Sequence, residues 1–331
     1  MRLGRWLLAS ALLSALLTGT LGCGPGADPE PANPLAGSVL WVDPESAAAL
    51  AEQQLRSDGD PTTADGLTAI SSQPVATWLV NDDPVPLTQR VTQTAAVTGQ
   101  LPVLVLYHRP GRDCGSYSGG GAGEQSSYLA WVGAVADAIG DQRALVVVEP
   151  DAIPQALSGQ CAQDGNPATT YAMLASAVDI LARHENTLVY LDAGHPGWIA
   201  DTGALAGALR DSGAEQSDGF SLNVSNFATT ADNQAYGDDL SAALGGKQYV
   251  VDVSRNGRGA PQADPASIDA WCNPPGVALG ENPRIGADRA RAVAYLWVKE
   301  PGASDGNCRD GEPPAGQFWP EYALRLIQQR P

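Results

Sequence analysis

Five carboxylates stand just beyond apolar runs, a pattern suited to acid–base chemistry. Ala144-Leu145-Val146-Val147-Val148 runs without polar alternation, breaks at Glu149-Pro150 and delivers Asp151. Residues 101–107 lead in the same way to Asp113, 187–191 to Asp192, 249–251 to Asp252, and 294–298 through Lys299 to Asp305. A carboxyl kept protonated can protonate a leaving group, while an ionised neighbour activates water. Other chemistries have weaker footing. His108, His184 and His195 form no ligand pair at helical spacing, so no metal is expected. No Gly-x-Ser-x-Gly elbow marks a serine nucleophile, and no cofactor is implied.

Unbroken apolar runs ask for burial on both faces, as in parallel strands covered by helices. Helices are expected between them: Leu129, Val132, Val135 and Ile139 share one face over 127–139, and Tyr171, Leu174, Val178 and Leu181 another. Leu40-Trp41-Val42 and residues 76–80 read as strands, and 87–96 and 320–329 as helices. Asp43 reads as an N-cap with Pro44 at the first helical position, opening a helix to about Leu55. Strand–helix alternation without a composition break predicts one α/β barrel, whose C-terminal strand ends would bring the carboxylates to one pocket.

The 331 residues are 44% hydrophobic, enough for a large core, and carry 37 acidic against 19 basic side chains, a net charge of −18. That balance argues against nucleic acid or an anionic membrane as partner and favours a neutral ligand. Arg2 and Arg5 precede an apolar stretch over 6–17, shorter than the roughly 20 residues a membrane span needs, so residues 1–22 read as a signal peptide. Thr20-Leu21-Gly22-Cys23 resembles a bacterial lipoprotein cleavage box with Cys23 lipidated, and 23–37 is a Pro/Gly-rich tether. Any membrane contact would come through that lipid. Cys114, Cys161, Cys272 and Cys308 remain, an even number suited to two disulfides, with three pairings open. The protein is expected to be exported, extracellular or held at the cell envelope.

Larger blocks carry a resemblance. Tyr107-His108-Arg109-Pro110-Gly111-Arg112-Asp113-Cys114 with Gly119-Gly120-Gly121, and Val148-Glu149-Pro150-Asp151, come first. Tyr190 to Trp198, Asn223-Val224-Ser225-Asn226, Asp252 to Gly257, Trp271 to Gly276, and Trp297-Val298-Lys299 with Ser304-Asp305-Gly306 follow in order. Together they resemble glycoside hydrolase family 6, the inverting β-1,4-glucanases. The resemblance implies a distorted, incomplete TIM-like parallel β/α barrel as a single catalytic domain over 38–331, acting as a monomer on β-1,4-glucan or cello-oligosaccharides. It makes Asp151 the general acid, Asp113 the neighbour that holds its proton on, Asp305 the base and Asp192 an electrostatic tuner. Tyr107 would lie under the sugar at the cleavage point, and Ser118 would hold the attacking water. Trp78, Trp198 and Trp271 would be sugar platforms, because pyranose rings present apolar C–H faces. His195, Lys299, Asn223 and Asn226 would bond hydroxyls. The family's disulfides would pair Cys114 with Cys161 and Cys272 with Cys308.

Three positions depart from the pattern: Ala303 where the family has a sugar-contacting Glu, Glu300 where it has Pro, and Asp201 where processive members carry a Trp. With the short stretch between Trp271 and Trp297, these favour internal cutting in an open cleft. The alternatives are a cellobiohydrolase of the same family and a surface glucan-binding lipoprotein of low turnover.

Overall fold

The structure, a computed structural model, describes residues 32–161, 166–264, 267–286 and 291–331; the proposed signal peptide and Cys23 lie outside them. Eight strands form one sheet in the order β1-β2-β3-β4-β5-β6-β8-β7. They are β1 (Thr77–Leu79), β2 (Val103–Leu106), β3 (Ala144–Val148), β4 (Thr187–Asp192), β5 (Gly219–Leu222), β6 (Gln248–Asp252), β7 (Arg284–Ile285) and β8 (Ala292–Leu296). All pairings are parallel except that of the two-residue β7 with β8. Helices α1 (Ala47–Ser57), α2 (Pro61–Ser71), α3 (Val85–Val97), α4 (Gln125–Ile139), α5 (Ala152–Ser158), α6 (Pro167–Leu181), α7 (Thr202–Asp211), α8 (Thr230–Ala243) and α9 (Pro320–Gln328) accompany the strands.

Burial on both faces explains the missing alternation. In β2 and β3, Leu104, Leu106, Val146 and Val148 pack with Val132, Val135, Leu174 and Val178 of the helices. The intervening Val103, Val105, Leu145 and Val147 join Tyr190, Val250 and Leu296 in an inner cluster. Each fully buried Leu or Val contributes about 1.5–3 kcal/mol relative to exposure. The same pleat sets which C-terminal residues look inward: Tyr107 continues the inner row of β2, and Asp192 that of β4, in register with Ser221.

The barrel is incomplete. Where β1 meets the chain after β8 there is no ladder; the Ala76 N–H donates to Trp297 O at 3.0 Å and Trp78 Nε1 to Val298 O at 2.8 Å.

Two local expectations are corrected. Leu40-Trp41-Val42 makes only a single bridge, Leu40 to Leu101, rather than a strand. The first helix begins at Ala47 with Ser46 as its cap, its side chain accepting from the Ala49 N–H. Asp43 instead opens the turn before the helix, its Oδ1 accepting the Glu45 N–H at 2.9 Å, while Arg90 grips the same carboxylate with both guanidinium nitrogens, at 3.0 and 2.8 Å.

Candidate active site

The site is built on loops whose backbone adopts conformations that side chains ordinarily avoid. Asp113, Cys114, Glu149, Asp151, Asn223, Ser225 and Asn273 are the non-glycine residues with positive φ among the described residues. Each such conformation costs roughly 1–3 kcal/mol and persists only where surrounding bonds over-determine it. At the end of β3 those bonds are visible. Glu149, fully buried, accepts the His108 N–H at 2.9 Å, and the Asp151 N–H donates to Asp192 Oδ2 at 2.9 Å. Asp192 also accepts from the Gly194 N–H and Ser221 Oγ, both at 3.2 Å.

Three acids therefore share one low-dielectric corner. Burial, then the charges of Asp192 and Asp113, push the Asp151 carboxyl well above the usual carboxylate range. Burial likewise raises Asp192 and Asp113. Asp113 accepts the Ser118 N–H at 2.8 Å, which places Ser118 beside it. Tyr107 is buried above the same corner, its hydroxyl kept protonated by burial and by Asp151 and Asp113. Glu149 is raised by burial to about 7.

Asp305 has the opposite surroundings. Its carboxylate bonds Arg255 Nη1 at 2.7 Å, Lys299 Nζ at 3.2 Å and the Asn273 N–H at 3.0 Å. Burial opposes its charge, yet Arg255 and Lys299 outweigh that and hold it below the usual range. Lys299 joins the two halves, because its charge is also felt by Asp151. Asp252, buried at the end of β6, fixes this side by accepting the Lys299, Val298, Ser225 and Ser254 N–H groups.

The aromatic and polar residues divide. Trp78 meets Tyr107 edge-to-face at 5.2 Å, Trp198 lies tilted 5.8 Å from His195, and Trp271 stands 41% exposed. His195 is lowered to about 4 by burial, so its ring is neutral at neutral pH. Asn226 is half-buried. Asn223 is fully buried and its amide is committed to Asp252 O and the Ala228 N–H, so it shapes the loop rather than meeting a hydroxyl. Cys114 is bonded to Cys161 and Cys272 to Cys308. Among the described residues, Cys272, Cys308 and Glu312 are grouped like metal ligands, but those two sulfurs are joined to one another.

Arg112 and Arg255 carry structural duties that sequence reasoning did not assign. Arg112 ties the Asp113 loop to Tyr107 O at 2.7 Å and Ser118 O at 2.7 Å. Arg255 is fully buried over Phe227, 4.5 Å from the ring, and holds Asp305. Its signal was faint: a cation inside the Asp252 to Gly257 block.

The sequence profile of Glycosyl hydrolases family 6 matches residues 35–330. The chain belongs to that family. It is 38% identical over 298 residues to Endoglucanase 1 of Streptomyces halstedii, covering 87% of this chain and 88% of that one. Endoglucanase A of Cellulomonas fimi is 44% identical over 238 residues, 72% of this chain; the match spans about half, 49%, of that relative. The endoglucanase Cel6 from Mycobacterium tuberculosis, solved with methyl-cellobiosyl-4-deoxy-4-thio-β-D-cellobioside, superposes with a TM-score of 0.82 at 41% identity, over 90% of this chain and 99% of that one. The incomplete β/α barrel is thus the family 6 fold.

Against the family 6 pattern, the departures have structural content. Glu300, half-buried, accepts the Ala48 N–H at the start of α1 at 2.8 Å, and burial of its carboxyl raises it to about 7. Ala303 is buried beside Phe318. Asp201 caps α7, accepting the Ala204 N–H at 2.9 Å.

Proposed function

We propose that this chain is an inverting endo-β-1,4-glucanase. The observation that carries the reading is the electrostatic split within one site: Asp151 is held protonated by burial and acidic neighbours, while Asp305 is held ionised by Arg255 and Lys299. Two carboxyls driven apart in this way are what acid-plus-base hydrolysis of a glycoside requires.

In the proposed reaction the glucan lies across Trp78, Trp198 and Trp271. Asp151 protonates the glycosidic oxygen as the C–O bond breaks. Asp113 and Asp192 keep that proton in place until it is needed, and Tyr107 supports the sugar at the cleavage point. Water held near Ser118 attacks the opposite face of the anomeric carbon and gives its proton to Asp305, directly or through a water chain, inverting the configuration. Asp201 as a helix cap, in place of a distal platform, favours internal cutting over processive release of cellobiose. Viscosity loss of carboxymethylcellulose tests the reading: Asp151→Ala should lower the rate by about 10²–10⁴-fold. Equal rates for both proteins would strip Asp151 of its role. NMR of cello-oligosaccharide cleavage should show the α-anomer first and mixed product lengths; mainly cellobiose from the outset would indicate the exo mode.

Export through residues 1–22, a lipid on Cys23 and a monomeric domain over 38–331 belong to the same proposal. The disulfides suit an oxidising compartment. Expressed from the full chain, the protein should partition into detergent, and Cys23→Ser should move it to the aqueous phase.

A further inference from the structure

Large apolar side chains left in water ask for an explanation when they touch each other beside a catalytic centre. Among the described residues the exposed large hydrophobics are Val39, Leu50, Val80, Val97, Tyr117 and Trp271. Only Tyr117 and Trp271 are aromatic; they are 42% and 41% exposed, and their ring centroids lie 5.8 Å apart with planes tilted by 52°. They come from two different loops. Tyr117 sits in the Gly-rich segment between Asp113 and Ser118, anchored by Cys114–Cys161, and Trp271 immediately precedes the Cys272–Cys308 bridge.

The seat of Tyr117 is specific. Its ring lies against Gly306, the residue after Asp305: a Cβ on Gly306 would fall 2.6 Å from Tyr117 Cγ, and φ there is +155°. Only glycine lets the ring approach this closely. The ring is thus pressed against backbone next to the ionised carboxylate while 42% of the residue stays exposed, an arrangement that suits a pyranose face.

We propose that Tyr117 is a glucan-contacting residue, its open face and that of Trp271 forming one two-ring surface for a single sugar beside Asp305. This rests on the glucanase reading. The test measures cello-oligosaccharide binding by calorimetry in an Asp151→Asn background, with KM and kcat measured in otherwise wild-type protein. Tyr117→Ala should weaken binding and raise KM by about tenfold, with kcat within about twofold; Tyr117→Phe should match the parent. Tyr117→Leu, which keeps apolar bulk without a ring, should resemble Tyr117→Ala and guards against a loop that merely collapses. Unchanged binding in both Ala and Leu variants overturns the proposal. So does a fall in kcat at unchanged affinity, which would make the ring a support for the Asp305 loop. If the Asp151→Asn parent binds no cello-oligosaccharide and the wild type cleaves none, the glucanase reading itself fails, a result separate from the failure of Tyr117 alone.

Discussion

Asp151 and Asp305 carry the same side chain, and their surroundings push them in opposite directions. Asp151 has two acids near it, whose effect with burial outweighs that of Arg109 and Lys299; Asp305 has two cations in contact. The alkaline limb of activity should follow Asp151, which as the proposed acid must hold its proton, and it should lie above the usual carboxylate range. Asp113→Asn removes a like charge, makes ionisation of Asp151 easier and should move that limb to lower pH. Lys299→Met removes a cation from Asp305, raises its proton affinity and should move the acid limb to higher pH. Profiles of kcat against pH check both shifts; a displacement in the other direction would reject the proposed roles.

Loops, not strands, hold the chemistry, and the strands determine where the loops start. Gly121 shows how tight the second loop is: with φ of +91°, a Cβ there would sit 2.0 Å from Arg109 O. Gly121→Ala should destabilise the protein by more than about 1 kcal/mol and depress activity, read by thermal melting and kinetics together. Much of this was legible in the sequence. The unbroken run of β3 announced a strand buried on both faces, and the acids at its end and at that of β4 follow from pleat and chain order. What stayed hidden depends on partners far along the chain. Arg255 meets Asp305 fifty residues later, and Asp43, besides capping its own turn, pairs with Arg90 across 47 residues. The brief β7 and the Gly-led β5 lack enough pattern to be read locally. Asn223 was legible as part of a motif, but not as an amide consumed by its own loop.

For the molecule as a whole, buried acids tie stability to pH. Glu149 and Glu300 rise from 4.5 to about 7 through burial. Between those values the folded state holds more protons than the unfolded one, so stability falls as pH rises through the window. Asp305, depressed, works the other way, its contribution being lost only as pH falls through its folded pKa. Self-repulsion at a net charge of −18 also weakens towards acid. The melting temperature should therefore be higher near about pH 5 than near about pH 8, and Glu149→Gln or Glu300→Gln should shrink the difference; a rise towards pH 8 would contradict the burial of these acids. The junction after β8 has a further consequence. Asn33 bonds Val293 O, Ala48 bonds Glu300 and Trp78 bonds Val298 O, spans of 260, 252 and 220 residues. Partners this far apart cannot meet until β8 and the residues beyond it are present, so a chain cut short before β8 should leave both ends of the sheet unfastened.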